Sequence, residues 1–279
     1  MPEETYDGPL VLEEFISAHP EIAWTAPEHP EGSPHFDPKT RTLLDMARDV
    51  TLRREIYCFE FAFKPLRQIV ADLPQPDGTT ARRLVMYMVY RVRYVGGDLN
   101  PKTQIEAGRV GVSGIRRVHY GSRRFFPGFR LVNEETEAEL LDQVLPAVTP
   151  RIQRREKITA RLHNSVEIST TPIPYSDGNA DDGVWGVATW TDFDPNIDFL
   201  SVDVFGLTNA FEVDGTGMDS PYRRKALELF FYRPGDTVDP TEDRIRFGVP
   251  AYTDAGDRDY VLKQYGLEEK RDYRWVFKP

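Results

Sequence analysis

The sequence predicts a mainly β protein, an antiparallel β-sandwich built as one large unit or two small ones. Three observations predict it. Aromatic residues reach 12% of the chain, which leans towards strands because flat side chains fit a pleated surface. Apolar residues recur at spacing two in several runs, which puts them on one face of a strand. Turn clusters rich in Gly, Pro, Asp and Asn separate those runs with few helical patterns between them, as in hairpin-linked sheets.

Residues 1–50 read as a Pro-rich arm with a short helix. Seven prolines from Pro2 to Pro38 forbid long helices and interior strands there. Leu10–Ile16 suits one short helix, and Trp24, with Phe15 and Ile22, can dock the arm on its own body or on a partner. Asp37-Pro38 opens a helix to about Val50, with Asp as N-cap and Pro at the first helical position.

Residues 51–160 form the first half of the sandwich, or a first domain. Tyr57, Phe59, Phe61 and Phe63 share one strand face, and Pro65 marks an edge or bulge. Leu84–Val95 is apolar on both faces, as a covered central strand requires, and Gly96-Gly97-Asp98 ends it. A strand at Arg124–Asn133 and a helical interlude at Glu135–Val144 follow. Residues 161–279 form the second half, or a second domain. Its strands are expected at Leu162–Thr170, Val184–Thr191, Phe199–Leu207, Lys225–Arg233, Arg244–Val249 and Tyr273–Phe277.

The net charge of −10 sets a field that repels nucleic acid and anionic lipid, so no nucleic-acid partner is expected. No stretch approaches the ~20 apolar residues of a transmembrane helix. The start Met1-Pro2-Glu3-Glu4 has neither the basic nor the apolar region of an export signal. The single cysteine, Cys58, sits in an aromatic run and reads as a buried small hydrophobe.

Charge is placed unevenly. Leu162–Tyr222 holds eleven acids and no Lys or Arg, whereas Ala107–Asn133 holds six arginines and no acid. Within the acidic stretch, Asp192, Asp194, Asn196 and Asp198 stand at alternate positions and Asp203 falls at position 12. That spacing resembles a calcium loop, with Ile197 where the turn wants Gly and Asp203 where it wants Glu. The competing reading is a set of turns in which Asp and Asn bond their own backbone. Arg116, Arg117, Arg123 and Arg124 interleave with aromatics and suit an acidic partner protein, the chain's own acidic region, or a solvated face. Trp185 and Trp190, five apart, lie on opposite strand faces; both suit packing, and Trp190 also suits a surface contact with carbohydrate or protein. His163 and Ser165 are too close in sequence for a triad, there is no Gly-x-Ser-x-Gly elbow, and the glycines lack dinucleotide or Walker spacing.

The runs EFAFKPLRQIVADLP, LVMYMVYRVRYVGGD, FFPGFRLV, VWGVATWTDFDP and FLSVDVFGLTNAF resemble a group of exported immunoglobulin-like β proteins of planctomycete-type bacteria with no assigned activity. The resemblance covers roughly residues 55–250. It implies an immunoglobulin-like sandwich and an extracytoplasmic or periplasmic envelope setting, and carries over no catalytic residue. The expected function is a non-enzymatic structural or interaction subunit of a bacterial envelope or multiprotein assembly, partnered by other subunits or by itself. The alternatives are a carbohydrate- or calcium-binding module and an enzyme with an unrecognised site.

Overall fold

The structure is a computed structural model and describes residues 6–7, 55–106, 109–179, 182–213, 221–234, 245–252 and 254–279. The expected arm and helices before residue 51, and Trp24, lie outside the described residues, apart from strand β1 (Tyr6–Asp7).

The chain is mainly β. In the first sheet, β2 (Glu60–Phe63) and β3 (Arg67–Pro74) occupy the same edge of β4 (Thr80–Arg93), with Phe63 opposite Tyr90 and Arg67 opposite Tyr87. They are one strand broken at Lys64-Pro65-Leu66, where proline has no N–H for the ladder. The two-stranded ribbon that follows, β5 (Asp98–Glu106) with β6 (Arg109–Val118), forms a separate sheet, and Leu99 of β5 also bridges Ile56. β7 (Ser122–Arg124) leads into the second sheet through β8 (Gly128–Asn133) and β9 (Ala138–Leu141). β10 (Leu162–His163) and β12 (Val184–Trp190) return to the first sheet, while β11 (Pro172–Pro174) pairs with β7. β12 runs antiparallel to β4, and β10 runs parallel to β12. The second sheet is completed by β13 (Phe199–Phe205), β14 (Phe211–Val213), β15 (Tyr222–Tyr232), β16 (Arg246–Phe247) and β17 (Tyr273–Lys278), all antiparallel. Both sheets combine strands from either side of residue 160.

The sheets share one core. Phe61, Phe63, Met88 and Tyr90 of the first meet Phe129, Val202, Leu229 and Phe231 of the second. Ring centroids of Tyr90 and Phe129 lie 4.7 Å apart, and those of Phe63 and Phe231 6.1 Å. Aromatic pairs at such spacing add about 0.5–1.5 kcal/mol each beyond their burial. The outer faces are covered too. Helix α1 (Thr149–Arg155) sets Ile152 against Val85, Tyr87 and Val187 on the outside of the first sheet. After α2 (Ser165–Thr170), α3 (Ala255–Gln264) sets Val261 and Leu262 against Phe230 on the outside of the second.

Two expected elements change type. Glu135–Val144 is a turn followed by β9 rather than a helix. Asn133 Oδ1 accepts from the N–H groups of Glu135 and Thr136, and Glu137 takes φ 58°, which closes a tight hairpin. Leu162–Thr170 is a two-residue strand and then α2. Asn164 caps the N–H groups of Val166 and Glu167, and the Glu167 carboxylate accepts from the Asn164 N–H, a reciprocal capping box.

Candidate functional site

The strand directions gather loops at two ends of the sandwich. Residues 94–98, 118–127, 175–179, 182–183 and 206–210 lie at one end; residues 134–137 and 191–198 lie at the other.

The first end is built around Arg123 of β7. Its Nε donates to Asp98 Oδ2 at 2.6 Å, and its guanidinium also pairs with Glu55. The Tyr94 hydroxyl donates to the same Asp98 oxygen at 2.6 Å and accepts the Tyr120 N–H at 3.0 Å. The Tyr120 hydroxyl donates to Glu55 Oε2 at 2.5 Å, and the Asn100 amide donates to it at 3.1 Å. The guanidinium carbon lies 4.4 Å from the centre of the Tyr57 ring and 5.0 Å from that of Tyr120, within cation–π range. Asp98 is fully buried, and its Oδ1 accepts no hydrogen bond. Burial pushes its carboxyl up to about 6, against the pull of the Tyr94 hydroxyl. Burial, and then the neighbouring Asp98, hold the Cys58 thiol far above its ordinary range, so it stays protonated.

Over this clamp lies an aromatic and basic surface. Tyr120 is 45% exposed, Phe126 61% and Tyr175 41%. The His119 ring stacks on Tyr175 with centroids 4.9 Å apart. Arg116, Arg117 and Arg124 are exposed at the same end, with Arg116 and Arg117 on opposite faces of β6, and Arg116 Nε donates to Asn100 at 3.3 Å. Gly206, at φ +88°, lets the backbone pass under Phe126: a Cβ there would sit 2.1 Å from the Phe126 carbonyl oxygen. Phe125 is thereby buried in the core while Phe126 faces outward.

The six arginines of the basic stretch thus divide. Arg123 turns inward to Asp98 and Glu55, and Arg130 turns to Asp203 at 2.8 Å and Glu139 at 2.9 Å. The acidic stretch divides as well. Asp177 and Asp182 stay at the basic end, Asp192, Asp194 and Asp198 reach the opposite end, and Asp203 is buried on the outer face of β13. There Lys278 pairs with Asp203 at 2.8 Å and with Glu228 at 2.5 Å. Burial raises the Asp203 carboxyl, with Lys278 pulling the other way.

Of the residues with the calcium-like spacing, Asp192, Asp194, Asn196 and Asp198 lie in one loop, and Asp203 lies in β13. Asp194 Oδ1 accepts the Asn196 N–H at 2.9 Å, an Asx turn. Asp192 lies 3.7 Å from Arg83, Asp198 2.9 Å from Arg233, and Asp203 is in the sheet with its own cations. Among the described residues, no three His, Cys, Asp or Glu side chains come together as metal ligands.

The surface role considered for Trp190 is corrected. Trp190 is fully buried in the shared core, because strand parity in β12 turns it inward. Trp185 takes the outer face, where Arg91 lies 5.7 Å from its ring centre. The Ser165 hydroxyl donates a hydrogen bond to Asp142, not to His163. Residues that the sequence reading passed over are Asp98, Tyr94, Glu55 and Phe126. Gly96-Gly97-Asp98 reads locally as a strand ending, and nothing in it announces an arginine partner 25 positions on. Compared with known proteins, the chain matches no protein-family model, no curated protein and no solved structure.

Proposed function

We propose that this protein is a non-enzymatic structural or interaction subunit of a bacterial envelope or multiprotein assembly. The observation that carries the reading is the exposure of Tyr120, Phe126, Tyr175, Arg116, Arg117 and Arg124 at one end of the sandwich. Tyr and Arg are the residue types that dominate binding energy at protein interfaces. The buried Asp98–Arg123 clamp beneath holds Tyr120 in place, and a preorganised surface loses less entropy on docking. The envelope setting rests on the resemblance of the strand runs to exported proteins. The finer fold reading is an immunoglobulin-like sandwich; its support is the antiparallel pairing and the core common to both sheets. The helices on both outer faces are additions to such a sandwich.

The test is site-specific photo-crosslinking in cells from position 126, with position 260 on α3 as the control. A discrete protein adduct from 126 and none from 260 is the expected result. Absence of any adduct from 126 overturns the reading.

A further inference from the structure

We infer that the partner of this surface is a second copy of the same chain, docked head to tail, with the aromatic–arginine end of one copy seated on the acidic end of the next. The inference rests on the interaction reading above and names its partner. At the receiving end, the turn 134–137 and the loop 191–198 lie side by side: the Glu134 N–H donates to the Phe199 carbonyl at 3.0 Å, and the Asp198 N–H to Glu135 Oε2 at 3.4 Å. Glu135, Glu137 and Asp194 are exposed there. Asp192 and Asp198 are the ones matched by Arg83 and Arg233.

The two ends cannot neutralise each other within one molecule. β13 runs from the acidic end to the basic end over seven residues, a span of about 23 Å at ~3.3 Å per residue. That exceeds the Debye length of about 8 Å at physiological salt, so each end presents its own field to a neighbour. Two different patches on one chain make a heterologous contact, which grows into a ring or an open filament rather than stopping at a dimer. Exposed aromatics and arginines gathered at one end are the residue types enriched in such a contact. Asp177 and Asp182 lie at this end and weaken its positive field.

The net charge of −10 opposes any self-association over long range. Salt screens that repulsion first and the contact itself last. Assembly is therefore strongest near ~0.1 M salt and lost near 1 M, where the Debye length is about 3 Å.

The experiment is sedimentation velocity of the purified full chain over rising concentration at both salts. Species above the monomer that grow with concentration at the lower salt are expected. Arg116→Glu/Arg117→Glu/Arg124→Glu and Glu135→Lys/Glu137→Lys/Asp194→Lys should each be monomeric alone. Their mixture should reassociate, because each swapped end now meets its complement. Phe126→Ala, which changes no charge, should weaken assembly about tenfold, the effect of ~1.4 kcal/mol. Circular dichroism of every variant checks folding. A wild-type monomer at all concentrations and salts, or a mixture that fails to reassociate, overturns the inference. If the 126 crosslink then carries a partner of a different mass, the interaction reading stands and only self-docking falls.

Discussion

Glu156 and Asp98 are both buried carboxylates that face a cation, yet they settle on opposite sides of the ordinary carboxylate range. Glu156 follows α1 on the outside of the first sheet. Lys64 Nζ donates to its Oε2 at 2.5 Å, the Tyr87 hydroxyl donates to its Oε1 at 2.6 Å, and Arg67 lies 3.8 Å away. Burial pushes this carboxyl up, and donors on both oxygens more than offset it, so it stays below the usual value. At Asp98, Tyr94 and Arg123 converge on one oxygen and leave the other bare, and Arg123 is divided with Glu55. Burial wins there, and the carboxyl rises to about 6. At Glu156 the donors outweigh burial, whereas at Asp98 burial outweighs the donors, so burial alone does not fix the direction of a buried acid.

The largest expected effect is at Glu156. Lys64→Met leaves its carboxylate without its main cation, and such a loss costs about 3–5 kcal/mol of unfolding free energy. A drop below ~1 kcal/mol in urea unfolding at pH 7 would break the contrast, since the pair would then be dispensable. Next comes Arg123→Ala, which strands Asp98 at a cost of about 1–3 kcal/mol at pH 7.5. That cost should shrink at pH 5, because Asp98 can take up a proton there; an equal loss at both pH values means it stays ionised.

The wild-type melting temperature against pH sharpens the comparison further. The folded Asp98 keeps its proton up to about 6, whereas the unfolded side chain releases it near 3.9. Its contribution therefore favours the fold at low pH and is lost as pH rises through that window. Glu156 works in reverse: its folded value is depressed, so its contribution is present above ~4.3 and is lost as pH falls through the folded value. Asp98→Asn should flatten the first slope and Glu156→Gln the second. The smallest stability effect belongs to Phe126→Ala, within about ±0.5 kcal/mol, as for an exposed position away from the core.

Much of the sandwich was legible in short windows. The spacing of Phe59, Phe61 and Phe63 predicts one face, and all three lie in the shared core. The doubly apolar run at Leu84–Val95 predicts a covered central strand, and β4 is flanked by β2 and β3 on one edge and by β12 on the other. α2 was misread because Val166 and Ile168 alternate as in a strand, although the Asn164…Glu167 capping signal stood beside them. α3 shows only Asp254 as a start signal, capping Gly256 and Asp257.

Strand parity, the break at Pro65 and the opposed charge runs are readable in the chain, because they follow from neighbours a few residues apart. What the charges do depends on the folded arrangement of the strands. Lys64 and Glu156 are 92 positions apart, and Arg130 and Asp203 73. Pairing at that distance depends on how whole strands align, which local spacing does not encode. The same alignment turned Arg123 inward, left Phe126 facing out and carried the acidic run from one end of the sandwich to the other.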